Sequence, residues 1–127
     1  MPDKPLVAVV DDDESMRDTT KDLLEAAGFR AATFASAEAF LGSGNLAGTS
    51  CLITDMRMPG MSGLALHDHL VASNKPIPTV LITAYPEEPV RVRALAAGVL
   101  CYLTKPFTAE ELLACIDSAV QAGKAGT

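Results

Sequence analysis

The sequence predicts an α/β fold in which one parallel sheet has helices on both faces. Five short runs rich in apolar residues alternate along the chain with segments of helical spacing. Runs of this length are typical of parallel strands that are buried on both faces. The alternation requires right-handed crossovers between parallel neighbours. A chain of 127 residues, 49% of them hydrophobic, can bury one core, so we expect a single domain.

The first half of the chain contains three predicted strands and two predicted helices. Gly28 is the expected end of the first helix, because glycine readily adopts the left-handed conformation that ends many helices. Ser36 is the expected N-cap of the second helix, and Glu38 complements its first turn. In chain order we predict a strand at 6–10, a helix from the acidic run 11–14 to 27, a strand at 29–34, a helix at 36–41, a loop at 42–50 and a strand at 51–54.

The second half contains two predicted strands and three predicted helices. Gly98 is the expected end of one helix, and Thr108 and Glu111 form a capping box at the start of the last. In chain order we predict a loop at 56–63, a helix at 64–72, a strand at 79–83, a helix at 87–97, a strand at 99–103 and a helix from 108 to about 120. Residues 121–127 have the composition of a linker or tail, so the folded domain is expected at 1–120.

The composition argues against several classes of function. A formal net charge of −6 and an isoelectric point near 4.7 disfavour direct binding to nucleic acid or to an anionic membrane surface. The uncharged stretch 40–53 is interrupted by glycine and asparagine and cannot span a bilayer. The amino terminus lacks the apolar core of a signal peptide. We therefore expect a cytoplasmic protein without membrane contact.

Cysteine and histidine form no recognisable metal or disulfide pattern. Cys51, Cys101 and Cys115 are odd in number, widely spaced and set among apolar residues. This pattern predicts small buried apolar side chains rather than a disulfide framework or a zinc site. His67 and His69 lie two positions apart on one predicted helix and point to different faces, so they are expected at the surface.

Polar side chains follow four of the predicted strands. In chain order these are Asp11 and Asp12, Asp55, Thr83, and Lys105. The carboxyl ends of the strands in an open α/β sheet are where ligands bind. We therefore expect three carboxylates, a hydroxyl and an ammonium to meet at one edge of the sheet.

Carboxylates crowded into one cleft stay ionised only with cations present. Two like charges about 5 Å apart repel by about 3 kcal/mol at an effective dielectric constant near 20. Lys105 supplies one positive charge, and an oxygen-rich cleft suits Mg²⁺, which needs few protein ligands and keeps several waters. A carboxylate beside bound Mg²⁺ can attack phosphorus and form an aspartyl-phosphate.

Four segments at these strand ends resemble the receiver domain of two-component response regulators, over essentially the whole chain. The matching segments are Val10-Asp11-Asp12, the stretch from Asp55 through Met58-Pro59 to Gly63, Ile82-Thr83-Ala84 and Lys105-Pro106-Phe107. Each segment is a weak signal alone, but four in this order are specific. The resemblance implies a flavodoxin-like (βα)5 doubly wound sheet in the order 2-1-3-4-5, with the receiver domain at 1–120. The motifs are most similar to those of receivers that precede a helix-turn-helix DNA-binding domain.

Three groups of residues receive roles from the resemblance. The first is the phosphoacceptor, Asp55. The second would bind Mg²⁺, for which Mn²⁺ or another divalent ion could substitute: Asp11, Asp12, Asp55 and the backbone carbonyl of Arg57. The third would bind the phosphoryl group and relay the switch: Thr83, Ala84, Lys105 and Tyr102. The family also implies a cis peptide bond between Lys105 and Pro106.

The resemblance implies two partner surfaces. A sensor histidine kinase or a histidine phosphotransfer protein would donate the phosphoryl group and dock on a helical stripe formed by Ser15, Met16, Thr19 and Asp22. Phosphorylation would change the face made by the fourth helix, the fifth strand and the fifth helix, a possible homodimer surface. Direct contact with nucleic acid or with a membrane is not expected from this domain.

The sequence leaves alternatives open. We predict the receiver of a transcriptional regulator, but a complete single-domain response regulator or a phosphorelay intermediate is also compatible with the chain. A degenerate receiver is disfavoured because the chain has all four of these residues together: Asp12, Asp55, Thr83 and Lys105. An aspartate-nucleophile phosphatase is disfavoured because it needs an acid two residues after the nucleophile, where this chain has Arg57. The domain is therefore not expected to be an enzyme, although it would assist its own phosphorylation and dephosphorylation.

Overall fold

A computed structural model describes residues 4–44 and 46–125, with side chains through residue 121. The strands are β1 (Leu6–Val10), β2 (Arg30–Phe34), β3 (Thr49–Asp55), β4 (Thr79–Thr83) and β5 (Cys101–Thr104). The helices are α1 (Glu14–Ala26), α2 (Ala37–Leu41), α3 (Gly63–Ala72), α4 (Glu88–Ala96) and α5 (Ala109–Ala125), with a short 3-10 helix at Leu46–Gly48. Within the described ranges, none of these helices has the length and apolar character needed to cross a membrane.

The strands form one parallel sheet in the order β2-β1-β3-β4-β5, which confirms the predicted order. Buried side chains alternate between the two faces of this sheet. On one face, Val7, Val9 and Ile53 pack against α1 and α5. On the other face, Val10 and Leu52 pack against α2 and α3. Helices therefore cover both faces, as the alternating sequence pattern predicted.

Two helices begin at the caps that the sequence predicted. The Ser36 hydroxyl accepts a hydrogen bond from the Ala39 backbone N–H (3.1 Å). Thr108 and Glu111 form a reciprocal capping box: the Glu111 N–H donates to Thr108 Oγ1 (3.0 Å), and the Thr108 N–H donates to Glu111 Oε1 (2.8 Å). These bonds satisfy backbone donors that have no partner inside the helix.

Three elements differ by two or more residues from the sequence prediction, and one of them is β5, which begins at Cys101 rather than at 99. β3 begins at Thr49 rather than at 51, because Thr49 pairs with Leu6 beside a register shift in the β1–β3 ladder. α5 continues to Ala125 rather than ending near 120. Residues 121–125 contain glutamine, alanine and lysine, which are good helix formers, beside one glycine. The division into a domain at 1–120 and a linker or tail at 121–127 stays a prediction, and residues 126 and 127 lie outside the described ranges.

The expectations for cysteine and histidine were partly wrong. Cys101 in β5 and Cys115 in α5 form a disulfide, because the β5–α5 connection brings residues 14 positions apart face to face. Cys51 is a free and buried thiol, as predicted. His67 is buried rather than at the surface, because it lies on the packed face of α3. His69 is exposed, as predicted.

Gly63, the first residue of α3, is packed against the end of β3. A Cβ atom at this position would collide with the carbonyl oxygen of Asp55 and would lie 2.7 Å from Leu81 Cδ1. The carbonyl group could move away from an added methyl group only if the backbone of Asp55 moved with it. Glycine therefore lets α3 start close to the strand that ends in Asp55.

We expect Gly63→Ala to lower the free energy of unfolding by about 1–3 kcal/mol, because the added methyl group overpacks the junction between β3 and α3. Urea unfolding followed by circular dichroism measures the loss. Gly48→Ala is the matched control, since a Cβ atom there meets nothing within 4 Å. Equal free energies of unfolding for the two variants would contradict the packing constraint at Gly63.

Candidate functional site

Three carboxylates lie together at the carboxyl edge of the sheet. Asp11 and Asp12 directly follow β1, and Asp55 is the last residue of β3. One oxygen from each carboxylate lies within 4.8 Å of the other two. Asp11 is buried, Asp55 is half-buried and Asp12 is exposed. The cluster therefore opens to solvent on the side of Asp12.

Lys105 brings a positive charge to this cluster from the loop that follows β5. Its Nζ atom lies 3.4 Å from Asp55 Oδ2 and 3.5 Å from Asp11 Oδ2, and its side chain is 21% exposed. The Lys105–Pro106 peptide bond is cis. The Lys105 backbone N–H donates to the Thr83 carbonyl (2.8 Å). The loop after β5 is thus hydrogen-bonded to β4, and the Lys105 ammonium contacts two carboxylates.

Backbone hydrogen bonds hold Asp11 in place. The Asp13 N–H donates to Asp11 Oδ1 (2.9 Å), and Arg17 donates from its guanidinium to the Asp11 carbonyl (2.7 Å). The Asp13 side chain itself accepts from the Ser15 N–H (2.9 Å) and is the N-cap of α1. Asp13 therefore caps α1, whereas the carboxylates of Asp11 and Asp12 belong to the cluster.

Burial and charge act against each other at this site. Burial raises the pKa of Asp11 above its usual value, and the charge of Asp55 adds to this, whereas the Asp13 amide and Lys105 act to lower it. Burial alone would lower the pKa of Lys105, but the charges of Asp11 and Asp55 hold that pKa above its usual value. The shift of Asp11 therefore reflects mainly its burial, and the shift of Lys105 reflects the two carboxylates beside it.

The donor set fits a hard divalent cation. Carboxylate oxygens are the ligands that Mg²⁺ and Ca²⁺ prefer in proteins. Asp11, Asp12 and Asp55 each offer such an oxygen to one point in space. Three carboxylates and one ammonium leave a charge of −2, which one divalent ion would offset. Asp11, Asp12 and Asp55 therefore form a candidate cation site in three dimensions as well as in sequence.

Thr83 and Tyr102 lie on the neighbouring strands β4 and β5. Thr83 is 1% exposed, and its Oγ1 atom accepts a hydrogen bond from the Tyr85 N–H (3.1 Å). Ala84, between these two residues, is exposed. Tyr102 is half-buried against a cluster that includes Ala94 of α4. Thr83 therefore directly follows Ile82, the residue of β4 that pairs with Asp55, and Tyr102 packs with α4.

The sequence of the chain matches the family model for the response regulator receiver domain over residues 7–117. The chain belongs to the response regulator receiver family. The transcriptional regulatory protein FixJ of Bradyrhizobium diazoefficiens is 38% identical over 95% of this receiver and 59% of FixJ. The response regulator protein TodT of Pseudomonas putida is 35% identical over 91% of the receiver and 51% of TodT. The chain thus spans about half the length of the curated relatives it matches.

Solved structures agree with this assignment. The response regulator StyR has a TM-score of 0.89 and 44% identity, covering 96% of this receiver and 62% of the StyR chain. A response regulator receiver domain from Clostridium thermocellum has a TM-score of 0.90 and 26% identity, covering 97% of this receiver and 99% of that chain. The same fold therefore occurs both as an isolated receiver chain and as part of a longer one.

Arg57 connects two loops of the receiver across the site. Its guanidinium lies 3.1 Å from Glu87 Oε1 and 5.1 Å from the centroid of the Tyr85 ring. The Arg57 and Glu87 side chains are 62% and 59% exposed, so this ion pair adds little to the free energy of unfolding. Its effect is to join the loop after Asp55 to the loop before α4.

The contact between Glu38 and the loop after Asp55 was not predicted from the sequence. Its Oε2 atom accepts a hydrogen bond from the Met61 N–H (3.1 Å), and a Cβ atom at Gly60 would lie 2.9 Å from the same oxygen. Gly60 has a φ of +79°, a conformation that favours glycine. The sequence marks Glu38 only as an acid in the first turn of α2, and no local pattern connects it to a loop 23 residues away. α2 therefore anchors the loop that follows Asp55.

The stripe predicted for kinase docking lies beside a largely apolar cavity. Ser15, Thr19 and Asp22 are exposed, and Met16 is half-buried. Met16 and Thr19 line a cavity of about 420 Å³ between α1 and the start of α5. Lys105 also lines this cavity. A partner that filled it would therefore lie next to the carboxylate cluster.

We expect Asp12→Ala to raise the free energy of unfolding by roughly 1 kcal/mol without divalent ions, because it removes one of three charges that repel each other. In Mg²⁺ the parent should gain stability from the bound ion, and the variant should gain less. Urea unfolding in EDTA and in MgCl₂ measures both effects.

Asp18→Ala is the matched control for this variant, since it removes an exposed acid of α1 outside the cluster. Its stability should respond to Mg²⁺ as the parent does. If Asp12→Ala and the parent had equal free energies of unfolding in both buffers, the repulsion within the cluster would be disproved.

Proposed function

We propose that this receiver is a phosphorylation-activated signalling switch in which Asp55 accepts the phosphoryl group. The observation that carries the proposal is the setting of Asp55, beside two further carboxylates and 3.4 Å from the Lys105 ammonium. Membership of the response regulator receiver family supports the same role. The donor would be a phosphohistidine of a sensor histidine kinase or of a histidine phosphotransfer protein.

Asp11, Asp12, Asp55 and the backbone carbonyl of Arg57 would hold Mg²⁺ in this switch. The bound ion, or Mn²⁺ or another divalent ion in its place, would offset the negative charge of the phosphoryl oxygens. The exposed Asp12 leaves this position open to solvent. The glycine at 63 and the contact of Glu38 with Met61 would keep the loop after Asp55 in the position that this role requires.

An oxygen of the Asp55 carboxylate would attack the phosphorus atom of the phosphohistidine. The new P–O bond forms as the P–N bond breaks, and the electron pair of the P–N bond returns to the imidazole. Lys105 contacts the Asp55 carboxylate before transfer and would pair with a phosphoryl oxygen afterwards. The side chain that offsets part of the negative charge of the resting site would therefore also stabilise the product.

Thr83 would couple the phosphoryl group to the rest of the domain. Its Oγ1 atom accepts from the Tyr85 N–H, which leaves its own hydrogen to donate to a phosphoryl oxygen, beside the Ala84 backbone amide. Movement of this loop toward Asp55 would open space for Tyr102, which packs beside α4. Two packings that differ by a few kcal/mol are enough for such a switch.

The kinase or phosphotransfer protein would dock on α1 beside the carboxylate cluster. The exposed Ser15, Thr19 and Asp22 would make the polar contacts, and Met16 would contribute an apolar one. The cavity between α1 and α5 would take an apolar side chain of the partner, because its surface is mainly apolar. The phosphohistidine would then lie within reach of Asp55.

The face made by α4, β5 and α5 would carry the signal outward. Val92, Leu95 and Leu100 expose apolar side chains on or beside α4. Arg93 of α4 and Glu110 and Asp117 of α5 are exposed charges of opposite sign. A two-fold dimer could bury the apolar residues and pair these charges. We propose this homodimer for the phosphorylated form.

The receiver would regulate transcription as part of a longer protein. FixJ is named a transcriptional regulatory protein, and this chain matches 59% of its length. A complete single-domain response regulator or a phosphorelay intermediate is the alternative. We place the domain in the cytoplasm, and its net charge of −6 disfavours direct contact with nucleic acid or with an anionic membrane.

Phosphatase action on other substrates is not proposed. Such an enzyme needs an acid two residues after its nucleophile to protonate the leaving group. Here that residue is Arg57, whose side chain is bound to Glu87. The domain would assist only its own phosphorylation and dephosphorylation.

We expect Asp55→Asn to abolish phosphoryl transfer while the fold stays intact, because the amide oxygen is a poor nucleophile. Intact mass after incubation with Mg²⁺ and acetyl phosphate should show one added phosphoryl group on the parent and none on the variant. Asp68→Asn, an exposed acid of α3, is the matched control and should behave as the parent. An added phosphoryl group on Asp55→Asn would refute the assignment.

We expect Lys105→Ala to accept the phosphoryl group but to switch poorly, since Lys105 links Asp55 to the loop after β5. Amide chemical shifts recorded under acetyl phosphate and Mg²⁺ should change less at 83–104 than in the parent. Lys75→Ala, an exposed lysine outside the site, is the control. If the amide shifts of Lys105→Ala changed as much as those of the parent, a role of Lys105 in the switch would be contradicted.

A further inference from the structure

Two of the three cysteines form a cross-link at one edge of the sheet. Cys101 in β5 and Cys115 in α5 are joined by a disulfide, with Cα atoms 6.2 Å apart, a separation that is usual for this bond. Cys101 is half-buried and Cys115 is 9% exposed. Cys51 is fully buried in the centre of the sheet, and burial raises the pKa of its thiol to about 12. The pair is therefore open to redox chemistry, whereas Cys51 is protected.

The cross-link lies next to Tyr102. Side chains of β5 alternate, so that Cys101 and Leu103 pack against α5 while Tyr102 packs on the opposite side with α4. The disulfide therefore fixes the strand that carries Tyr102 to α5. Both elements belong to the face through which the proposed switch would act.

The fold does not depend on this bond. α5 is held to the sheet by the fully buried side chains of Leu112, Ile116 and Ala119. A domain of 127 residues buries enough apolar surface to fold without cross-links. In a compartment kept reducing, disulfides are usually transient or regulatory rather than structural. The partial exposure of Cys101 lets a small thiol or disulfide reach the pair, as such a use requires.

We propose that Cys101 and Cys115 are a reversible redox site whose oxidation restrains the response of the α4–β5–α5 face to phosphorylation. The redox site stands on its own geometry, and only its effect on the response rests on the proposed function. The oxidant is a low-molecular-weight disulfide. The thiolate of Cys101, the more exposed of the two, attacks one of its sulfur atoms and releases one thiol. The thiolate of Cys115 then attacks Cys101 Sγ and releases the second thiol.

The two electrons lost by the cysteine pair thus reduce the incoming disulfide to two thiols, and dithiothreitol reverses the reaction. Thiol counting tests this step in the folded protein. The protein is treated with dithiothreitol or with oxidised glutathione, then denatured, alkylated with iodoacetamide and weighed. The alkyl count should fall from three to one on oxidation and return to three on reduction.

Two variants make the assignment specific. Cys51→Ala should still lose two alkylation sites on oxidation, whereas Cys115→Ser should form no intramolecular disulfide. An unchanged alkyl count in both treatments, or a bond that dithiothreitol leaves intact in the folded protein, would overturn the redox site.

The effect on the switch is tested by phosphorylating both redox forms with acetyl phosphate and Mg²⁺. Intact mass should show one phosphoryl group on each form, and the amide shift changes in α4 and at Tyr102 should be smaller in the oxidised one. Cys115→Ser should respond as the reduced parent under either treatment. Equal responses in the two forms would overturn the redox restraint and leave the proposed function standing. If neither form accepted the phosphoryl group, the proposed function and the restraint would fall together, and thiol counting would still decide the redox site.

Discussion

The site is organised by an excess of negative charge at the carboxyl edge of the sheet. Oxygens of Asp11, Asp12 and Asp55 lie within 4.8 Å of one another, and Lys105 contacts two of the three carboxylates. The charge of Lys105 offsets only part of this negative charge, because one ammonium faces three carboxylates. A divalent cation would complete the neutralisation, and in the proposed switch an incoming phosphoryl group would lie near both that cation and Lys105.

The fold brings these charged side chains together because they lie at or just after the carboxyl ends of strands. Parallel strands in the order β2-β1-β3-β4-β5 bring the residues after β1, β3 and β5 to one edge although they are far apart in sequence. The loop after Asp55 is then held at three points: by Gly63 packed on the Asp55 carbonyl, by Glu38 bound to Met61, and by Arg57 bound to Glu87. A site that must bind a small ion needs such support, because its ligands come from separate loops.

The sequence predicted most features that depend on local pattern. The strands, the helix caps at Ser36 and Thr108 and the polar residues at strand ends follow from apolar periodicity and cap chemistry, and the family motifs supplied the strand order. It could not predict contacts between distant segments. The bond between Cys101 and Cys115 and the burial of His67 depend on how helices lie on the sheet, which residue spacing does not encode. α5 extends past its predicted end because the helix-forming residues at 121–125 outweigh the single glycine among them.

The excess of negative charge predicts that the carboxylate cluster binds a divalent cation. The most direct measurement is a titration of the ¹⁵N-labelled protein with MgCl₂, followed by amide chemical shifts. We predict saturable changes concentrated at residues 11–13, 55–58 and 105, and their loss in Asp12→Ala. Changes that do not saturate, or that are spread over the surface without preference for these three segments, would contradict it.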